Sequence, residues 1–376
     1  MKFLITGDLV VNQSYSALDN IEQELINLFA KSDCNIVNLE APVTDSEAKI
    51  LKLGPHLKSN KASTFDVFKK LNIHVAALAN NHIKDYDEEG VLDTIDFCHQ
   101  NAIKTMGAGR NLEDASETFV LNTPEGSVAI VNIAENEWAS AGHGSAGANG
   151  MNLIKDMRKI QQAKQKYDFV FVVVHGGHEY YNLPSPRMQE QYRFYIDEGA
   201  DLVVGHHTHC ISGYEEYNGK IIYYSLGNFL FTKQSPHSDW YQGLILEVEL
   251  LNNELKTNLH SVSMEETSFK LALSEGESKI KVLSRIEAYS EIISDSSKLK
   301  TSWIEYVNEK SDSYSSVWSI LSFIENRIIR GVLRRSPIQF SKVQGWKKSL
   351  NFMRCEAHRD LSCATLKLSL NKAYKK

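Results

Sequence analysis

Runs of six to eight residues rich in Val, Ile, Leu and Phe recur along the first two thirds of the chain. They are KFLITG (2–7), CNIVNLE (34–40), HVAALAN (74–80), SVAIVNIA (127–134), FVFVVVHG (169–176), ADLVVGH (200–206) and KIIYYSLG (220–227). Nearly unbroken apolar runs of this length predict strands buried on both faces. Between them, residues 17–31, 63–72, 88–101, 153–166 and 188–198 read as helices, the first three by apolar spacing near 3.6. Strands alternating with helices predict a layered α/β core. Hairpins are expected at TPEG (123–126) and at NNE (252–254), the latter between LILEVEL and LKTNLHSV. Hairpins beside βα units predict a mixed sheet, or two sheets packed together, rather than one purely parallel sheet.

The pattern changes near 262–278. Eighteen of the 21 glycines and six of the seven prolines precede residue 262, so turn-dense sequence gives way to helix-like sequence. Residues 280–293 and 316–335 carry apolar side chains at helical intervals. The run 317–333 is amphipathic enough for a membrane-surface helix, although packing against the rest of the chain or another subunit is the favoured expectation. This divides the 376 residues into a domain over 1–262 and a helical, basic region over 270–376.

Charge sharpens that division. The net charge of −6 conceals +11 over residues 326–376 and −17 over the rest. A basic end on an acidic body suggests a polyanion, an anionic membrane surface or the body itself as partner, with a solvated helical face as the commoner explanation; the region could also bring the protein to an assembly complex. The acidic larger domain disfavours nucleic acid. No apolar run reaches the length of a membrane span. The apolar start of MKFLITGD is too short for a signal peptide, and five scattered cysteines without CxxC spacing read as free thiols. A cytoplasmic location is therefore expected.

Several predicted strands end in groups able to bind metal: Asp8, Glu40, Asn80-Asn81-His82, His175, and His206-His207-Thr208-His209. Taken singly, each has a plain explanation: Asp8 as a cap or turn residue, Glu40 as a loop carboxylate, His82 as a satisfied, partly buried histidine. Together they matter, because ligands in open α/β sheets gather beyond the carboxyl ends of the strands. Mixed nitrogen and oxygen donors without clustered cysteine suit Mn, Fe or Zn rather than a structural zinc site. Two such ions, clamping a phosphoryl group, need a proton donor held off the metal, and His82 is the candidate.

These residues, in this order, resemble the calcineurin-like metallophosphoesterase superfamily, and more closely its CapA branch, named for poly-γ-glutamate capsule biosynthesis. The carrying segments are GDLVV (7–11), NLEAPVT (38–44), ANNHIKDYDEEGVLDT (79–94), GAGRNLEDA (107–115), HGGHEY (175–180), DEGADLVVGHHTH (197–209) and YSLGNFLF (224–231). The resemblance covers about residues 2–250. It implies a layered sandwich of two mixed β-sheets flanked by helices. It implies two divalent ions, with Asp8 on the first, Glu40 bridging, Asn81 and His175 on the second, and His207 and His209 completing the set. His82 would donate the proton. His206, Glu179 and Asn228 would face substrate, with Tyr180, Ser225 and Gly227 beside them. Gln13 stands where the family commonly has Arg, Gly176 where it has Trp, and Asp87 where it has Gly. Val10 replaces the superfamily's usual His, leaving the first metal one ligand poorer.

The implied function is a metal-dependent phosphoesterase-like enzyme of capsule or poly-γ-glutamate-type polymer biosynthesis, acting on a phosphorylated small molecule or polymer precursor. The alternatives are a role beside an amide ligase and a non-catalytic metal-dependent scaffold. The absence of a Gly-rich P-loop weakens an ATP-powered version of the first, and retention of His82 argues against the second.

Overall fold

The computed structural model describes residues 1–317, 328, 329, 332, 342–354, 358, 362, 363, 365 and 366. Its strands are β1 (Lys2–Val10), β2 (Cys34–Leu39), β3 (Val75–Ala77), β4 (Lys104–Met106), β5 (Ala108–Gly109), β6 (Phe119–Thr123), β7 (Gly126–Ala134) and β8 (Gly147–Ala148). They continue as β9 (Phe169–His175), β10 (Leu202–His206), β11 (Tyr214–Tyr217), β12 (Lys220–Tyr223), β13 (Asn228–Phe231), β14 (Gln242–Leu251), β15 (Glu254–Met264) and β16 (Leu271–Leu273). The helices are α1 (Ala17–Asn20), α2 (Gln23–Ala30), α3 (Lys61–Lys70), α4 (Asp87–Gln100), α5 (Leu112–Ala115), α6 (Leu153–Lys166), α7 (Pro186–Asp197), α8 (Gly276–Ser294), α9 (Ser296–Val317) and α10 (Lys342–Arg354).

Two mixed sheets form the centre. One runs β16-β15-β14-β1-β2-β3-β4, with β13 also paired to β1; the other runs β11-β12-β10-β9-β7-β6. In the first, β1 to β4 are parallel and β14 to β16 antiparallel. In the second, β7, β9, β10 and β12 are parallel while β6 and β11 return antiparallel at the edges. This is the layered α/β sandwich that the resemblance implied.

Alternation along each strand divides the core into layers. Phe3 and Ile5 of β1 meet Val128 and Ile130 of β7 and Phe171 and Val173 of β9 between the sheets. Leu4 and Leu9 turn outward onto a layer with Leu25, Phe29, Val67 and Phe97 of the helices. Val131, Val170 and Val172 turn the other way, onto Ile160, Tyr192 and Tyr195. Both faces of both sheets are covered, which is why these strands read as continuous apolar runs rather than as alternating ones.

Three elements differ from the sequence expectation. The helix expected over 17–31 is two helices, because the chain at Ile21 bridges Leu271 and Glu22 N–H donates to Leu271 O at 3.0 Å. The strand expected over 74–80 keeps Val75–Ala77; beyond it the backbone turns to present side chains to the site. The run 220–227 is β12 and a turn, broken where Gly227 adopts φ +65. Both hairpins form, with Thr123 opposite Gly126 and Leu251 opposite Glu254. At the second, Asn252 and Asn253 take φ 53 and 63, a left-handed turn that asparagine tolerates.

Division by contact gives two compact units, 1–300 and 301–376. The boundary read from composition at 262–278 lies inside the first, because α8 seals the layer between the sheets with Val282 and Ile286. Most of the amphipathic run 317–333, and most of 316–335, lies outside the described residues. Among the described residues no helix is long and apolar enough to cross a membrane.

Candidate metal centre

The site lies at the carboxyl ends of parallel strands from both sheets. A register shift at the end of β1 accompanies Asp8, whose N–H donates to Gly227 O at 2.9 Å. Gly7 is obligatory there, since a Cβ would stand 2.1 Å from that same carbonyl oxygen. In β2, alternation puts Asn38 on one side together with Glu40, which follows the strand. After β3, Asn80 clamps a turn: its Oδ1 accepts from His82 and Ile83 N–H at 3.1 and 2.8 Å, and its Nδ2 donates to Leu39 O at 2.8 Å. That turn presents Asn81 and His82. His175 and His206 end β9 and β10 side by side. Beyond them His207 and His209 take φ 91 and 55, left-handed backbone that brings both rings back over the strand ends.

Two groups of donor atoms result, each within 4.8 Å of one another: Glu40, His175 and His207, and Asp8, Glu40 and His209. Glu40 belongs to both. In the first group His175 Nε2 lies 3.1 Å from His207 Nδ1, 3.0 Å from Asn81 Oδ1 and 3.6 Å from Glu40 Oε1. In the second, His209 Nε2 lies 3.7 Å from Glu40 Oε1, and Asp8 Oδ2 lies 3.6 Å from His209 Nδ1. Donors bound to one ion at roughly 2.1 Å stand about 3.0–3.4 Å apart, close to the spacing of the first group.

The surroundings fix the aim of several donors. Asn38 Nδ2 donates to Asp8 Oδ1 at 2.6 Å and reaches His175 Nδ1 at 3.1 Å. His207 N–H donates to Asp8 Oδ2 at 3.2 Å. Asn228 Oδ1 lies 3.0 Å from His209 Nδ1 while its Nδ2 donates to Trp240 O at 3.0 Å. A carbonyl only accepts, so the amide nitrogen must face Trp240 and the amide oxygen must face the ring. His209 therefore carries its proton on Nδ1, and Nε2 is left as a donor atom for an ion.

Glu40 tests whether the residues fit a cation. It is sealed from solvent, and neither carboxylate oxygen has a hydrogen-bond partner among the described residues. Burial, with Asp8 second, pushes its carboxyl well above the ordinary glutamate value. Burial likewise pushes Asp8 up to about 7, against the pull of Asn38 and the His207 N–H. Burial pushes His175 well below the ordinary histidine value and His209 down to about 3. Neutral imidazoles around an orphaned carboxylate are what a divalent ion requires. The residues fit.

Beside the donors, His82 Nδ1 lies 2.6 Å from Asp85 Oδ2 and 3.1 Å from Lys52 Nζ, and Lys52 also pairs with Asp85. All three side chains are buried. Burial holds His82 below its usual pKa, with Asp85 working in the opposite direction. Asp85, three residues after His82, could have been read from the NNHIKD spacing; Asn38, two residues before Glu40 on the same strand face, likewise. Lys52 comes from an irregular loop and left no periodic signal.

The three residues expected at substrate separate. Glu179 is exposed, next to Tyr180, whose ring stacks on His237 at 4.0 Å. His206 and Asn228 are instead closed off, at 1% and 2% exposure. His206 Nδ1 stands 3.6 Å from Asp8 Oδ1, neither ring nitrogen has a hydrogen-bond partner among the described residues, and burial pushes the imidazole down to about 3. Ser225 is buried and accepts from Thr208 Oγ1 at 2.8 Å, holding the loop between the two histidine donors. Gly176 has a local reason: a Cβ there would lie 2.6 Å from Glu135 Cγ, so the Glu135 side chain occupies that wall.

Comparison with known proteins finds relatives among capsule biosynthesis proteins. Two relatives are a PGA biosynthesis protein CapA of Bacillus subtilis, 36% identical over 219 residues, and a capsule biosynthesis protein CapA of Bacillus anthracis, 35% identical over 242. The matches cover 57% and 60% of this chain, and the chain spans only 57% and 59% of those relatives. A "Probable polyglutamine synthesis accessory protein" of Mycobacterium tuberculosis is 27% identical over 210 residues, covering 52% of this chain and 55% of that protein. Among solved structures, a phosphatase from Mycoplasma pneumoniae overlaps with a TM-score of 0.43 at 12% identity, covering 75% of this chain and 96% of that one. A hypothetical protein from Thermus thermophilus gives 0.43 at 15%, covering 69% and 99%. Overlaps this loose carry no functional weight. Residues 2–233, more than half of the chain, match the family described as Bacterial capsule synthesis protein PGA_cap, and the chain belongs to that family.

Proposed function

We propose that this chain is a metal-dependent phosphoesterase-like enzyme of capsule or poly-γ-glutamate-type polymer biosynthesis. Asp8, Glu40 and His209 would hold one divalent ion, and Glu40, Asn81, His175 and His207 a second. The supporting observation is Glu40, a sealed carboxylate with no hydrogen-bond partner among the described residues, shared by both donor groups. Leaving such a group uncompensated is costly, and a cation on each side removes the cost.

Two divalent ions would supply Lewis acidity toward a phosphoryl group and its attacking water. The chain supplies the rest. Asn38 and the His207 N–H hold Asp8, and Asn228 fixes the His209 tautomer. Asp85 accepts the Nδ1 proton of His82, so Nε2 is the atom left to take up or deliver a proton to a leaving oxygen. An imidazolium formed there would keep Asp85 as its counter-charge. The substrate would be a phosphorylated small molecule or polymer precursor, handled in the cytoplasm, and the basic residues 326–376 would bring the protein to an anionic membrane or an assembly complex.

The test is elemental analysis of protein purified without chelator or His-tag, followed by a screen of phosphate esters with the metal found. About two equivalents of Mn, Fe or Zn and turnover of an ester would bear the reading out. Metal without turnover would favour an accessory role beside a separate ligase, the reading that the name of the mycobacterial relative supports. No metal, and no uptake on reconstitution, would sink the enzyme reading and move the weight to a binding or scaffolding role.

A further inference from the structure

The support of His209 does not end at Trp240. Trp240 lies in a short 3-10 turn, Ser238–Tyr241, that leads directly into β14. Arg285 of α8 grips that turn from outside. Its guanidinium donates to both oxygens of Asp239 at 2.7 and 2.8 Å and to Gln242 Oε1 at 2.6 Å, so it binds residues on both sides of Trp240. Asp239 Oδ2 also accepts from Asn182 Nδ2 at 2.8 Å, and the same Nδ2 donates to Ile211 O, two residues after His209. Tyr289, one turn further along α8, places its hydroxyl 3.1 Å from the guanidinium.

The contacts form a continuous path. Arg285 donates to Asp239 and Gln242; the turn between them carries the Trp240 carbonyl, which accepts from the Asn228 amide; and the oxygen of that amide faces His209 Nδ1. The Trp240 ring packs 4.8 Å from the His209 ring, so the turn holds the imidazole from its face as well. Arg285 and Asp239 are both half-buried, where a forked ion pair is screened less than at the surface. Both lie beyond residue 233, where the family match ends.

We propose that Arg285 is a positioning residue for the metal centre, which sets the tautomer and ring orientation of His209 through the 238–242 turn and Asn228. The functional module would then include α8, although that helix lies outside the family match. This rests on the metal reading for its consequence but not for its first link, which is made of hydrogen bonds within the chain itself.

The experiment separates the two. In metal-free protein carrying 15N-labelled histidine, NMR should show His209 as the Nδ1–H tautomer, and Arg285→Ala should convert it to a mixture. Titration with Mn²⁺ alone should then show one of two binding events weakened about ten- to a hundredfold in Arg285→Ala, the range for loss of a group that orients a ligand, with the other event unchanged. Arg285→Lys, which keeps the charge but not the fork, should fall between wild type and Arg285→Ala. Asp239→Asn guards against a variant that fails to fold and should reproduce the tautomer change. An unaltered tautomer with both Mn²⁺ affinities unaltered, even with a lower Tm, would overturn the proposal. A wild type that takes up no Mn²⁺ would overturn the metal reading, while the tautomer measurement would still decide the relay.

Discussion

The two halves of the candidate centre are built differently. The His209 half is walled by the body of the fold: Asp8 at a strand, Asn228 paired beside it in β13, and the buried rings of Phe231 and Trp240 against the imidazole. The His175 half opens onto loops and charges, with Asn81 and His82 on the turn after β3 and Lys52 and Asp85 behind them. Rigid apolar walls suit an ion that stays in place. Buried polar groups beside a proton-bearing imidazole suit the side where bonds would be made and broken. The comparison teaches that one half is an extension of the core and the other an extension of the loops.

The largest effect should come from removing what the halves share. Glu40→Gln keeps the shape but discards the charge, and both equivalents of metal should be lost by elemental analysis; retention of two would deny the bridging role. Next, Asp8→Asn and His207→Ala should each lower metal content by about one equivalent, from opposite halves. Loss of both ions in either variant would show that the halves bind as one. His82→Ala should leave metal content nearly intact while turnover of whichever ester is found falls by about a hundredfold or more. Full activity would return the chemistry to some other group.

The smallest effect lies outside both halves and calibrates the scaffold. Asp156 is buried near the start of α6, and burial pushes its carboxyl up to about 7 from an ordinary 3.8, against the hydrogen bond it accepts from the Asn152 N–H. The folded state thus holds this proton more tightly than the unfolded chain. Its contribution to stability is present at low pH and fades as pH rises from about 4 to about 7. Asp156→Asn should flatten that decline in urea unfolding measured at pH 5 and pH 8. An unchanged slope would place the pH response in other groups.

What sequence could reveal follows from how far apart the interacting residues lie. Strands covered on both faces announce themselves as apolar runs, and α6 falls on the residues expected for it because Asn152 caps it cleanly. The residues proposed as donors could be picked out in the sequence because each sits at or just beyond a strand end, a position the apolar run itself marks. Breaks made by distant partners were not: Ile21 interrupts a helical pattern for the sake of Leu271, 250 residues away. The supports of the donors were hidden for the same reason. Lys52 and Arg285 act across irregular loops and helix faces where no period connects them to His82 or His209. His206 ends β10 beside His175, and the apolar run that marks its position does not say whether it faces substrate.

The left-handed backbone at His207 and His209 has a consequence for exchange. Residues with a Cβ resist that conformation, so the loop's shape has to be held by its surroundings, and the bond from Thr208 to Ser225 helps to hold it. An ion of the proposed centre would then meet donors held by the fold and would not wait for a loop to reorganise. The pace of loading would be set by how quickly an ion sheds its water shell, and so would differ more between metals than between variants of the loop.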